Sequence, residues 1–300
     1  MKKIISICLI IAAFAALLVL PSCEKKQEKK TDTGASTENV TEPITEPATE
    51  TEAQKKEGKK YFTLSFDDGI TQDLKIMEIC KKYGFTGCTF NINTGLCGVN
   101  WEWVGQQFNR PDVTHQRFTE EELRSGVYDG FDVEVHTLHH PSLKQYDTAP
   151  LAMKSEVQGD ADNIYDITGV KPVGMAWPGG DTEYTEATAH QVVANTDIRF
   201  ARTITSTYSY ALPEYFMMWN PTCSISDNSV LNLAKSFLLT PCDDGDMLFY
   251  VWGHGYELDL YDNYGTLEEL IKMMTEAEDV EIVTNAQFYE LFKDQIPSWK

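Results

Sequence analysis

The chain has 300 residues, with 25 Lys and Arg against 46 Asp and Glu, a net charge of −21 and 42% hydrophobic residues. So acidic a balance argues against nucleic acid and other polyanions as direct partners. Seven cysteines occur without paired CxxC spacing, so neither a disulfide framework nor a structural zinc ribbon is indicated.

Lys2-Lys3 precede an apolar run from Ile4 to Leu20, and Leu20-Pro21-Ser22-Cys23 closes it with a small residue before cysteine. This resembles the lipobox of bacterial lipoproteins. Residues 1–22 are then a signal peptide, Cys23 is the lipidation site, and the protein is held at the outer face of a bacterial membrane in the cell envelope. Residues 23–60 repeat Thr, Glu and Pro between lysine pairs and hold few large apolar side chains. They cannot bury enough surface to offset ordering entropy and read as a disordered tether. Residues 61–300 form one domain, with 37 acids against 15 bases and a net charge of −22.

The domain opens on Tyr61-Phe62-Thr63-Leu64-Ser65-Phe66, a buried-strand pattern, followed by Asp67-Asp68-Gly69. Acid-acid-glycine is ordinary turn chemistry as well as a candidate site. Apolar residues at Leu74, Ile76, Met77, Ile79 and Cys80 predict a helix over 71–83 that stops at Gly84. A second strand is predicted over 85–92, and the stretch 93–118, with Trp101, Trp103 and Phe108, fits no period. Thr119 with Glu122 matches a capping box. Strands follow at 131–136, 171–177, 197–203, 247–252 and 280–283, separated by helices at 149–167, 183–195, 229–239 and 267–277, and a helix over 286–292 closes the chain. Six or seven strands alternating with helices, and no Gly-rich dinucleotide fingerprint, predict an α/β fold: a distorted (β/α) barrel of about seven parallel strands.

In such a barrel the residues just past each strand gather at one face. Asp67 and Asp68 end the first strand, His136, Thr137, Leu138, His139 and His140 follow the third, Trp177, Pro178, Gly179 and Gly180 the fourth, and Trp252, Gly253 and His254 the last long one. Two imidazoles four apart, His136 and His140, can face one ion if the chain turns helically after the strand; His139, three from His136, is the alternative. One carboxylate completes the ligand set of many catalytic zinc centres, and a second beside the ion can act as general base. His254, from a separate strand, is a candidate general acid.

Ser65-Phe66-Asp67-Asp68-Gly69 resembles the first motif of the NodB-homology polysaccharide deacetylases, carbohydrate esterase family four. His136-Thr137-Leu138-His139-His140-Pro141-Ser142-Leu143 is similar to their second motif, Cys88-Thr89-Phe90 to their second strand and Val251-Trp252-Gly253-His254 to their last motif. The resemblance spans residues 61 to about 260. It implies Asp67 as base, His254 as acid, and Asp68, His136 and His140 as ligands of a divalent metal, zinc or else cobalt. It also implies removal of acetyl groups from an N- or O-acetylated glycan, whether peptidoglycan, chitin-like or xylan-like, by a monomer. Trp177, Gly179 and Trp252, with Tyr256 nearby, flank these motifs as substrate-binding candidates; the aromatic rings could stack on sugar, and the Gly179 N–H could hold an oxyanion.

Two departures mark a divergent branch. Where the family's third motif carries an arginine that steadies the base, this chain has Ala176, and the fourth motif, an aspartate partner followed by tryptophan, is not recognisable, with Asp243 and Asp244 as candidates for the aspartate and Trp219 for the tryptophan. Two rival functions follow: hydrolysis of a non-peptide C–N bond in a non-sugar substrate on the same fold, or glycan binding by a surface lipoprotein whose turnover went with the arginine.

Overall fold

A computed structural model describes residues 58–300. The predicted signal peptide, Cys23 and the tether as far as residue 57 lie outside the described residues. Eight strands and nine helices follow one another among those described: β1 (Lys60–Asp68), α1 (Asp73–Tyr83), β2 (Cys88–Ile92), α2 (Trp103–Gln107), α3 (Glu120–Arg124), β3 (Asp132–Val135), α4 (Pro150–Thr168), β4 (Gly174–Ala176), α5 (Glu186–Asn195), β5 (Phe200–Arg202), β6 (Cys223–Ser224), α6 (Val230–Leu239), β7 (Met247–His254), α7 (Gly255–Leu260), α8 (Tyr264–Glu276), β8 (Val280–Ile282) and α9 (Asn285–Phe292). None of the helices is long and apolar enough to cross a membrane.

The strands are all parallel and lie in the order β5-β4-β3-β2-β1-β7-β6, while β8 pairs with Lys60–Phe62 of β1, before β2 begins at Leu64. Trp219 bridges in parallel to Arg202 of β5, and Cys223, four residues later, pairs with Val251 of β7. The stretch 219–224 therefore links the two edges of the curled sheet, which is the predicted distorted barrel. Such closure protects the edges that an open sheet would expose.

β1 is central, and its period of two sorts its side chains between two environments. Phe62, Leu64 and Phe66 are buried under the helix layer with Ile76, Met77 and Cys80 of α1. Tyr61, Thr63 and Ser65 face the barrel interior: Tyr61 packs edge-on against Phe288 and Phe292, Thr63 Oγ1 donates to Asn285 Oδ1 at 2.9 Å, and Ser65 Oγ lies 3.1 Å from the Tyr250 hydroxyl. Asp67 continues this inward row and emerges at its top.

α1 ends at Gly84, left-handed at φ 65, as the sequence indicates, although Leu74 of the predicted apolar stripe is 47% exposed. The Thr119–Glu122 capping box forms, a cap typically contributing about 1 kcal/mol. Most predicted strands are shorter at their N-terminal ends than their apolar runs suggest. Glu134 shows why composition misleads here: it is buried in β3 because its carboxylate accepts the Val173 and Gly174 N–H groups at 3.0 and 2.7 Å, fastening the entry to β4. β6, α2 and α7 were not anticipated; two to six residues are too short to show a period. Cys80, Cys88, Cys97 and Cys223 are free thiols.

Candidate active site

The C-terminal ends of the strands converge on a cavity of about 260 Å³, lined by Asp67, Asp68, Trp101, Trp103, His136, His140, Trp177, Gly179, Gly180, Ile204, Trp252, His254 and Tyr256. Register explains much of this. Asn91 of β2, Asp67 of β1 and His254 of β7 are direct neighbours across three parallel strands, so their side chains share one face. Asn91 Nδ2 donates to Asp67 Oδ1 at 2.9 Å.

The other oxygen of Asp67 is taken by Arg202, the last residue of β5, in a fully buried ion pair. Arg202 is the register partner of Ala176. The guanidinium missing from position 176 is thus delivered from the next strand over, onto the same carboxylate. Its second arm donates to Thr203 O at 2.9 Å, and its carbon lies 4.2 Å above the Trp252 ring. Burial alone would raise the Asp67 pKa, but the Arg202 charge, with that of His254 behind it, holds it below the ordinary value.

Asp68 has left-handed backbone, φ 82, which aspartate tolerates better than most residues. Its Oδ1 lies 3.7 Å from His136 Nε2 and 3.9 Å from His140 Nε2, and one ligand atom from each of these three residues can be chosen within 4.8 Å of the others. Beyond β3 the chain does not continue helically. Thr137 and His140 take φ values of 69 and 55, and the His140 N–H donates to Thr137 Oγ1 at 3.1 Å. This strained turn, not a helix, points both imidazoles inward. Asn93 Nδ2 fixes it by donating to the carbonyls of His136 and Thr137. His140, not His139, faces Asp68: His139 is largely exposed and its Nδ1 pairs with Glu156 Oε1 at 3.0 Å.

The donor set suits a metal ion. His136 Nδ1 is 3.0 Å from the Ala176 carbonyl, which only an N–H can satisfy, so Nε2 carries a lone pair; that nitrogen is buried and has no hydrogen-bond partner. Burial pushes both imidazoles toward the neutral form that binds metal, His140 to about 4. Asp68 lies well below the ordinary carboxylate range: burial would raise it, but the His115 hydrogen bond and the His254 charge prevail.

His254 Nε2 is 3.8 Å from Asp68 Oδ2. Its own carboxylate partner is Glu257, three residues on in the first turn of α7, with Oε1 3.6 Å from Nδ1 and Oε2 accepting the His254 backbone N–H at 3.1 Å. Burial depresses the His254 pKa, but Glu257 and the two aspartates overcome this and raise it to about 9. The fourth-motif candidates read from the sequence, two aspartates and a tryptophan, are elsewhere. Asp243 and Asp244 precede β7, roughly 23 Å down an eight-residue strand from His254. Trp219 is buried against Phe200, Phe216 and Tyr250 in the barrel core.

The substrate-facing candidates divide. Trp177 lines the cavity, yet it is 1% exposed, stacks on Tyr184 and donates Nε1–H to the Met217 carbonyl, so its ring serves the core. Trp252 is 9% exposed and spreads over Arg202. Gly179 has φ 75, and a Cβ there would meet Glu183 Cγ at 2.8 Å. Trp101 and the 40%-exposed Trp103, from the stretch without a period, supply walls that sequence reasoning missed. It also missed Arg202, His115 and Glu257. For Arg202 and Glu257 a signal existed, since one lies next to the last residue of a predicted strand and the other sits three residues past a candidate acid.

Fold and site together define a parallel α/β barrel with an aspartate–histidine cluster at the C-terminal ends of its strands. Residues 54–201 match the family model described as polysaccharide deacetylase, a segment that holds Asp67, Asp68, His136 and His140. Similar solved structures include the Xyl-CE4 domain of a multidomain xylanase from the hindgut metagenome of Trinervitermes trinervoides, 17% identical over 81% of this chain and 95% of that one, with TM-score 0.46. They also include a peptidoglycan deacetylase from Bacillus subtilis (16%; 79% and 93%; TM-score 0.44) and a family 4 acetyl xylan esterase from Clostridium thermocellum in complex with a cobalt ion (14%; 79% and 93%; TM-score 0.47). No curated protein matches the chain.

Proposed function

We propose that the protein is a metal-dependent hydrolase that removes acetyl groups from an N- or O-acetylated glycan. The observation that carries this reading is the buried, unpartnered His136 Nε2 facing Asp68 and His140 in the cavity that Asp67 and His254 also line. Asp68, His136 and His140 would hold the divalent ion, zinc or cobalt, which when bound supplies Lewis-acid polarisation of the acetyl carbonyl.

Asp67, kept ionised and oriented by Arg202 and Asn91, takes the proton from the attacking water. His254 enters the reaction protonated, because Glu257 holds its charge, and gives that proton to the departing amine or alcohol. The two roles are separated by environment: arginine keeps one group a base, and glutamate keeps the other an acid. Trp101 and Trp103 flank the opening and offer faces for a sugar ring. The rival reading, a glycan-binding protein without turnover, rests on Ala176; the Arg202–Asp67 pair supports the hydrolase instead, because it gives the base an arginine partner from the neighbouring strand.

The signal-peptide pattern and the tether support attachment through Cys23 to the outer face of a bacterial membrane, where peptidoglycan is at hand; chitin-like and xylan-like glycans fit the same chemistry. Acetate release from a panel of acetylated glycans, with and without chelator, tests the reading. It is sustained by chelator-sensitive acetate release from at least one glycan, and contradicted if none releases acetate or if chelator leaves the rate unchanged.

A further inference from the structure

The stretch 93–118 leaves the end of β2 and returns alongside the exit of β1. Its returning arm forms antiparallel bridges, Asn100 with Gln116 and Ile70 with Arg117, and the Phe118 N–H donates to Gly69 O at 3.0 Å. This lays residues 115–118 beside Asp68. His115, fully buried, places Nε2 2.8 Å from Asp68 Oδ2, and Arg117 places NH2 3.2 Å from Asp68 Oδ1.

The second ring nitrogen decides the direction of the first contact. Arg117 NH1 lies 3.4 Å from His115 Nδ1, and a guanidinium has only donors, so Nδ1 accepts and Nε2–H donates to Asp68. The imidazole is held in plane as well. Trp101 stacks on it at 5.4 Å and 4°, Tyr256 packs at 5.2 Å on a steep angle, and the Arg117 guanidinium lies 3.9 Å over the same Trp101 ring. Asp68 Oδ2 is committed to His115, and Oδ1 is the oxygen facing His136 and His140. Rotation of the carboxylate would break both contacts.

We propose that His115, fixed by Arg117, is a positioning residue that presents Asp68 to a metal ion through a single oxygen. Nothing in the strand-end motifs contains it. The inference rests on the metal-binding reading above and concerns affinity, not turnover, so it is read without substrate. Outer partners of ligating groups commonly change metal affinity by about 10- to 100-fold.

The test is a competition titration of zinc alone against a chromophoric chelator, on the full-length protein with circular dichroism as a fold control. His115→Leu is expected to weaken zinc by about 10- to 100-fold, whereas His115→Gln, which retains a donor, stays within about threefold of the wild type. Equal zinc affinity in wild type and His115→Leu overturns the inference alone, as does an equal loss in His115→Gln and His115→Leu. A wild type that binds no zinc overturns both the inference and the functional reading beneath it.

Discussion

Asp67 and Asp68 are adjacent in sequence, equally buried, and surrounded by unlike structure. Asp67 is enclosed by strand residues, Asn91 beside it in register on β2 and Arg202 from the end of β5. Asp68 is enclosed by loop residues: His115 and Arg117 from the returning arm, His136 and His140 from the strained turn after β3. The difference follows from backbone geometry. Asp67 continues the inward row of β1, whereas Asp68 leaves it with positive φ and turns its carboxylate to the loops. On the proposed reading, one dipeptide thereby serves a rigid proton-transfer half and a loop-built ion-binding half.

Substitutions separate the halves. The largest effect is expected from His136→Ala, which removes a ligand and leaves Asp68 and His140 alone: zinc binding falls below detection by titration, and acetate release falls at least about 10³-fold with it.

Arg202→Ala acts on the other half. It leaves Asp67 buried without its counter-ion, at a cost of about 3–5 kcal/mol in stability, and the displaced base is expected to lower kcat by about 10²-fold with zinc affinity retained. Arg202 lowers the Asp67 pKa, so its loss raises it, and the acid limb of the pH–rate profile moves to higher pH. Since Ala176 and Arg202 are register partners, Ala176→Arg in the Arg202→Ala background is expected to recover part of kcat. Kinetics that ignore position 176 would show that the guanidinium does not act from this row.

Glu257→Gln has the smallest expected effect. Glu257 raises the pKa of His254, whose protonated form is required, so the substitution lowers that pKa from about 9 and draws the alkaline limb toward neutrality. An unmoved alkaline limb would remove His254 as the acid.

The same contrast explains what could be read from sequence. The barrel, Asp67, Asp68, His136, His140 and His254 were legible because a strand's period and its terminal residue are local properties. Arg202 lay in a plain position but needed register to connect it to its partner: nothing local says that Arg202 neighbours Ala176. Glu257 is local to His254, three residues on, but the short helix that turns it back has too few residues to show a period. His115, Trp101 and Trp103 were illegible, because the stretch 93–118 is set by pairing with the exit of β1 and has no period of its own. Trp177 went the other way. Its place at a strand end suggested a sugar platform, yet the Tyr184 ring and the Met217 carbonyl claim it for the core.

The division of labour between the adjacent aspartates is tested most directly by measuring zinc stoichiometry and acetate release side by side in Asp67→Asn and Asp68→Asn. Asp67→Asn is expected to bind zinc at one equivalent while releasing acetate about 10²- to 10⁴-fold more slowly than the wild type, and Asp68→Asn to lose both. Near-wild-type acetate release by Asp67→Asn, or loss of zinc from both variants alike, would contradict the assignment.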